Sequence, residues 1–333
     1  MARRSAIKAV VVGASGHLGN AIVRALLERK YEVTACGRRS VPPANVLGLP
    51  VRYSSGDTET PGQFDKWIAG QDLVVDAAAP YPLSVFSPVS EAGKDPVAHA
   101  ERRTRLLLDA VCKHNARLVY VGSFVTLARP GTSAQRLEHQ MMRLAHPYFE
   151  VKELIEAQIL ASSRRGLRVV MANPTYCLGP WDMHDRQLCT IPLLLRGEIP
   201  SSIRQRLNVV DVRDVAAAIV AALAAERYGE PIQMSGHNIS TGELYSLICE
   251  LGGVPPPRIS TAASFALAGA YAMELMLGTI GEQTRLPAGG MMMARLFDYM
   301  VPGRELDELG ITPRPLTETI IDAIKWYRQV GYC

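Results

Sequence analysis

The sequence predicts an α/β protein: a doubly wound parallel sheet with a smaller, mostly helical C-terminal lobe. Three observations lead there. Hydrophobic periods of about two and about 3.6 residues alternate through the first half. A glycine triplet falls between the first strand pattern and the first helix pattern. After Pro174, prolines and helical patterns replace the regular alternation.

The elements follow in order. Ala6 to Val12 reads as a buried strand, and Leu18, Ala21, Ile22, Ala25 and Leu26 then recur at helical spacing. Tyr31 to Cys36 and Leu73 to Ala77 are further strands. A helix carrying Leu106, Leu107, Ala110 and Val111 leads into the strand Leu118 to Val121. The next helix starts near Pro147 and ends around Gly166, and Leu167 to Ala172 resumes the sheet. Val212 to Ala225 and Pro231 to Met234 read as a helix and a strand returning to the main sheet. From about Gly242 the chain is mostly helical, closing with Leu316 to Tyr327. The expected division is 1–173 with 208–235 for one domain, and 174–207 with 236–333 for a second lobe.

Composition narrows the class. The chain has 333 residues, 48% hydrophobic and 20% charged, with a formal net charge of +4. That length buries a large core, and so small a charge gives no reason to invoke nucleic acid. Six cysteines, Cys36, Cys112, Cys177, Cys189, Cys249 and Cys333, are scattered without a C-x-x-C pair, and the histidines show no ligand spacing. No metal site is expected. The N-terminal stretch lacks the apolar core of a secretory signal, so the expected location is cytoplasmic. Phe265 to Ile280 is apolar but contains Glu274 and is shorter than the roughly 20 residues of a membrane span. It reads as a buried or pocket-lining helix, with peripheral membrane contact left open, as is a homodimer. Met291-Met292-Met293 reads as core packing or as part of a flexible apolar pocket.

Gly13-Ala14-Ser15-Gly16-His17-Leu18-Gly19 has the form G-x-x-G-x-x-G. Glycines there allow a tight turn and close approach of a pyrophosphate, and the following helix offers free N–H groups and the positive end of its dipole. A turn that only packs strand on helix is the plainer alternative. The second strand ends Cys36-Gly37-Arg38-Arg39, without the acid that usually bonds a ribose 2′-hydroxyl. Arg38 instead suits a 2′-phosphate. NADP(H) is therefore the preferred cofactor, with NAD(H) as the alternative; Arg38 as a solvated loop charge is the competing reading.

Tyr148-Phe149-Glu150-Val151-Lys152 is Y-x-x-x-K, which places both side chains on one helix face. An ammonium there favours the phenolate, so the tyrosine can give up or take a proton, and Lys152 can reach the nicotinamide ribose. Ser123 lies just past a strand end, where open parallel sheets gather their ligands, and can bond the same substrate oxygen. Alone, the pair could be an exposed helical couple; its context argues otherwise. The expected catalytic set is Ser123, Tyr148 and Lys152.

The glycine loop, Val119-Tyr120-Val121-Gly122-Ser123 and Tyr148-x-x-x-Lys152, with 25 residues between serine and tyrosine, resemble the extended short-chain dehydrogenase/reductase superfamily. Further marks run to about residue 235. Asp57-Thr58 is similar to that family's adenine-contacting acid and neighbour. Ala77-Ala78-Ala79 resembles its small-residue strand end beneath the cofactor. Asn173-Pro174-Thr175-Tyr176 resembles its loop facing the nicotinamide, and Asn208 to Ala216 a further signature. The resemblance is to the branch of dihydroflavonol reductase-like and 3β-hydroxysteroid dehydrogenase-like proteins, supported by Glu308 to Pro315 and the final helix with Trp326-Tyr327. It implies a Rossmann-type sheet of seven parallel strands, a C-terminal substrate lobe, and cofactor contacts at Gly13, Ser15, Gly16, His17, Leu18, Gly19, Arg38, Asp57, Thr58, Ala77, Ala78, Ala79, Lys152, Pro174 and Tyr176. One departure bears on mechanism: the asparagine often found in the helix before the serine strand is replaced near Ala100.

The function expected is NADPH-dependent reduction of a ketone on a hydrophobic or polycyclic small molecule. Two alternatives stay open: an NAD-dependent sugar-nucleotide epimerase or dehydratase, for which Arg204, Arg206 and Arg213 could hold a diphosphate, and a non-catalytic redox regulator. Asp182 and His184 could border the substrate or lie in a solvated loop.

Overall fold

Seven parallel strands form the backbone of the protein, in the computed structural model, which describes residues 6–80, 95–129, 131–183, 189–278, 288–299 and 303–333. The first half supplies β1 (Lys8–Val12), α1 (His17–Glu28), β2 (Glu32–Gly37), β3 (Arg52–Ser55), α2 (Gln63–Ile68), β4 (Leu73–Asp76), α3 (Pro96–Lys113) and β5 (Arg117–Val121). Next come α4 (Ser133–Ala145), α5 (Pro147–Arg164) and β6 (Val169–Pro174). Four of the five residues of β1, all of β4 and all of β6 are buried, as strands covered on both faces must be.

After β6 the chain leaves the sheet through β7 (Tyr176–Leu178), α6 (Thr190–Leu195), β8 (Ser201–Arg204) and β9 (Arg206–Asp211). It returns with α7 (Val212–Ala224) and β10 (Pro231–Met234). The remainder is β11 (His237–Ser240), α8 (Thr241–Gly252), β12 (Ile259–Ala262), α9 (Ala263–Gly278), α10 (Ala288–Arg295), α11 (Glu305–Glu308) and α12 (Leu316–Gln329).

The order of the main sheet is β10-β6-β5-β4-β1-β2-β3, with every pair parallel. The direction of growth reverses between β1 and β4, and ligands of such sheets collect outside the strand ends at that point. The register brings the decisive ends level. Val12 is opposite Cys36 on one side and Asp76 on the other, and Asp76 is opposite Tyr120. Gly13, Ala77 and Gly122, the residues that follow Val12, Asp76 and Val121, therefore crowd one edge.

Two small sheets stand apart. In one, β9 runs antiparallel to β11 and parallel to β7; in the other, β12 pairs with β8. The run from Asn208 thus enters a three-stranded sheet of its own before α7 packs back on α1 and β6.

Helix α5 illustrates how local chemistry sets an element. His146 caps it by accepting the Tyr148 N–H at 3.2 Å, and Pro147 occupies the first turn, where no N–H is needed. Val151, Ile155 and Ile159 lie fully buried on its inner face. Each contributes about 1.5–3 kcal/mol of burial, enough to hold the Tyr148 turn against the sheet. The expectation for Phe265 to Ile280, of which 279 and 280 lie outside the described residues, is met only on one side. Ala270 and Glu274 of α9 face inward, but Phe265, Met273, Leu275 and Met276 are exposed, because β8, β12 and α10 cover one face of that helix. Among the described residues no helix is long and apolar enough to cross a membrane, and no three metal-ligating side chains converge.

Candidate active site

The glycine loop takes its shape from clashes that only glycine avoids. Gly13 has φ +82°, and a Cβ there would lie 2.7 Å from the Ala77 carbonyl oxygen; a Cβ on Gly19 would overlap the Gly13 carbonyl. The Gly13 amide donates to Cys36 O at 3.1 Å and the Gly16 amide to Gly13 O at 2.9 Å, folding the loop over the ends of β1 and β2. Among the described residues no side chain caps α1, and its first turn holds no acid. Its positive dipole end favours an anion, so the loop fits the pyrophosphate of a dinucleotide. Ser15, Gly16, His17 and Leu18 are all partly exposed on this turn.

Around that cradle the other expected cofactor contacts fall along one edge. Arg38 is exposed immediately past β2. Asp57 and Thr58 follow β3, and the Asp57 carboxylate accepts the Glu59 N–H at 3.0 Å. Ala77, Ala78 and Ala79 follow β4 with accessible surface, and Pro174 closes β6 beside Met234. Tyr176 lies further off in β7; its hydroxyl is engaged with Thr190 Oγ1 at 2.9 Å, and burial pushes the phenol up to about 12.

At the end of β5 the structure brings three expected side chains together. Tyr148 Oη donates to Ser123 Oγ at 3.0 Å, across the 25 residues that separate them. Lys152 Nζ lies 6.0 Å from the centroid of the Tyr148 ring. All three are buried, with Tyr148 at 0%, Lys152 at 4% and Ser123 at 7% exposure. Burial pushes the Lys152 ammonium down to about 8; Asp76 and Glu156 oppose that fall and Arg103 adds to it. The group can therefore hold a proton at neutral pH and still release it within the working range of an enzyme.

The chain matches the model of the NAD dependent epimerase/dehydratase family over residues 9–235. It belongs to that family. It is 28% identical to a protein of Synechocystis sp. named putative dihydroflavonol 4-reductase, over 97% of this chain and 95% of that one. It is 26% identical to sterol demethylase protein B of Methylococcus capsulatus, over 97% and 98%. Among solved structures it resembles that of gox2253, with a TM-score of 0.76, 25% identity and coverage of 98% and 99%. This family member is thus an oxidoreductase-type enzyme of the extended short-chain dehydrogenase/reductase kind, built to use a nicotinamide dinucleotide.

Several residues at the site were not among those expected. Glu156, one turn beyond Lys152, accepts from both the Thr126 hydroxyl and the Asn173 amide at 2.7 Å. The same Asn173 amide donates to Ser123 O at 3.0 Å, so α5, β6 and the serine turn are joined by one buried carboxylate. On the cofactor side, Asn45 donates to Ser15 O at 2.9 Å and to Trp181 O at 3.1 Å, and Arg24 stacks over the Trp181 ring at 4.3 Å. This family member therefore straps its glycine loop with a segment that arrives from beyond β7.

An apolar wall closes the other side. Phe124, next to Ser123, stacks on Phe297 with centroids 4.2 Å apart and an interplanar angle of 14°. Met142, Met292 and Leu296 join the cluster that contains Tyr148 and Phe149. Asp182 accepts the Tyr327 hydroxyl at 3.1 Å, which ties it to α12 rather than to open solvent. His184 lies outside the described residues, as does the side chain of Met293.

Proposed function

We propose that the chain is an NADP(H)-dependent reductase of a ketone carried on a hydrophobic or polycyclic small molecule, such as a steroid-like, flavonoid-like or polyketide compound. The observation that carries this reading is the buried bond from Tyr148 to Ser123, enclosed by Phe124 and Phe297 with Lys152 one turn away.

Each side chain has a task in it. The Tyr148 hydroxyl donates its proton to the substrate's carbonyl oxygen as that oxygen gains negative charge. The Ser123 hydroxyl turns its hydrogen toward the same oxygen, orienting it and spreading the charge. The Lys152 ammonium favours the phenolate left on Tyr148. A dinucleotide held by Gly13, Ser15, Gly16, His17, Leu18 and Gly19 supplies the hydride when bound. Water is kept out by the wall of Phe124, Met292, Leu296 and Phe297, and methionine there adapts to an irregular ligand. Residues 174–207 and 236–333 form the substrate lobe in this reading. The relatives' names, putative dihydroflavonol 4-reductase and sterol demethylase protein B, support a flat apolar substrate of the same sort for this chain.

Preference for the phosphorylated cofactor rests on Arg38, exposed where β2 ends without an acid. The sugar-nucleotide alternative is disfavoured by Arg213. Its guanidinium is already bonded to Asp211 and Asp322, at 2.7 Å each, so little positive charge is left for a diphosphate.

The test is turnover of a ketone panel followed by NADPH absorbance, with Tyr148→Phe alongside. The variant should lose activity by at least about a hundredfold while binding NADPH within about threefold of wild type. Full activity in Tyr148→Phe ends the reductase reading. Tighter binding of NADH than of NADPH removes Arg38 from the site.

A further inference from the structure

Two asparagines fix the carbonyls of the glycine loop. Asn20, fully buried in α1, donates from Nδ2 to Ala14 O at 3.3 Å and to Asn45 O at 2.9 Å. Asn45, at 1% exposure, donates from Nδ2 to Ser15 O at 2.9 Å and to Trp181 O at 3.1 Å. In a trans peptide the N–H points opposite to the C=O, so holding these two oxygens also sets the direction of the Ser15 and Gly16 amides. The Gly16 amide turns back onto Gly13 O at 2.9 Å, which closes the turn.

Asn45 is itself placed by a turn between β2 and β3. The Val46 and Leu47 N–H groups both donate to Pro43 O at 2.9 Å, and Val46 is buried in the core. The Asn45 Oδ1 is buried and meets no donor among the described residues. An orphaned acceptor is costly, so the side chain is kept there for the two bonds it donates.

The second of those bonds leaves the nucleotide-binding half. Trp181 has φ +72°, a conformation that a bulky residue holds only where its surroundings fix it. Asn45 holds its carbonyl, and the Arg24 guanidinium lies over its ring at 4.3 Å. Arg24 is bonded in turn to Asn20 Oδ1 at 2.9 Å and to Asn45 O at 3.3 Å. The next residue, Asp182, accepts from Tyr327 Oη at 3.1 Å. Tyr327 lies with Ile320 and Ile324 of α12 in the apolar cluster that contains Phe124, Tyr148 and Phe297. One peptide step, from 181 to 182, therefore joins the loop that suits an anion to the cluster that encloses Tyr148.

We propose that Asn45 is a positioning residue: it holds the glycine loop in its anion-binding shape and, through Trp181 and Asp182, makes dinucleotide binding tighten α12. This rests on the dinucleotide role given to the glycine loop under the proposed function. A ligand bound better by the fixed loop favours the strapped arrangement, and by linkage that preference extends to each segment the strap holds.

The test uses the full chain with NADP+, or with NAD+ if the wild type binds that more tightly. Asn45→Ala should weaken binding at least about tenfold by titration calorimetry. Amide hydrogen exchange gives the readout that a merely structural role would not move. Saturating cofactor should slow exchange over residues 320–328 at least about threefold in wild type. Asn45→Ala, brought to the same saturation, and Asp182→Ala should both lose that protection. Unchanged affinity in Asn45→Ala overturns the proposal. So does exchange in α12 that ignores the cofactor in wild type, or that is slowed equally in both variants. If Asn45→Ala fails to fold, Asp182→Ala decides by the same exchange measurement: lost protection supports the link and kept protection ends it. A wild type that binds neither cofactor overturns this proposal together with the dinucleotide role of the loop. One that binds a cofactor without protecting α12 overturns this proposal alone.

Discussion

Truncating Glu156 to alanine removes the acceptor on which the Thr126 hydroxyl and the Asn173 amide converge, each at 2.7 Å. A hydrogen bond to a charged group contributes about 1.5–3 kcal/mol, which puts the gross loss at about 3–6 kcal/mol. Two effects offset part of it. Asn173 keeps its bonds to Ser123 O and Thr126 Oγ1, both at 3.0 Å, and the variant no longer buries a carboxylate. A net loss of about 2–4 kcal/mol follows. Urea unfolding should show it as a lower midpoint at an unchanged slope. The serine turn keeps the Tyr148–Ser123 bond to α5 but loses the tie through Glu156, so ketone turnover should fall by about 10–100-fold, the penalty for misplacing a reacting group by around 1 Å. Glu156→Gln keeps the volume and one acceptor, and should fall between wild type and alanine in both assays. A stability loss under about 0.5 kcal/mol in Glu156→Ala, with normal turnover, would show that this carboxylate does not organise the site.

Two further outcomes test the cradle and the lysine. Gly19→Ala places a Cβ against the Gly13 carbonyl and should weaken NADPH binding at least about tenfold, read by fluorescence titration; unchanged affinity would mean the loop is looser than described. Lys152 has a folded value near 8 against an ordinary value of 10.5, so between those pH values the unfolded chain binds more protons and stability rises with pH. Relative to Lys152→Met, wild type should gain about 3 kcal/mol from pH 7 to pH 11, measured by denaturant melts; a flat difference refutes a desolvated ammonium. Over the same range ketone reduction should decline as pH climbs through about 8.

How far these features could be read beforehand depended on their range along the chain. The strand-glycine-helix unit at residues 8–28 and the Tyr148–Lys152 pair are local, so spacing alone exposes them. Ser123 was legible because it follows a strand. Helix α4 was passed over, since it is mostly polar; its local signals were the capping box of Thr132 and Gln135 and the helical spacing of Leu137, Met141 and Leu144. Strands β7, β8, β9, β11 and β12 are three to six residues long and lie among prolines, too short for any period to declare itself. Glu156 gave one hint, its place a turn beyond Lys152. Asp76 and Arg103 gave none, being 27 residues apart with nothing in either neighbourhood to pair them.

The sequence by itself determined the doubly wound sheet, the glycine loop between β1 and α1 and the Tyr148–Lys152 pair on one helix face. Those depend on backbone freedom at glycine and on i, i+4 geometry, which act within a few residues. Only the tertiary structure decided which charges surround Lys152, what ties Ser123 in place and what closes over Tyr148. Coulomb fields and hydrogen-bond satisfaction act through space, and Asp76, Arg103, Glu156, Asn173 and Phe297 become neighbours only when the sheet order and the C-terminal lobe bring them there.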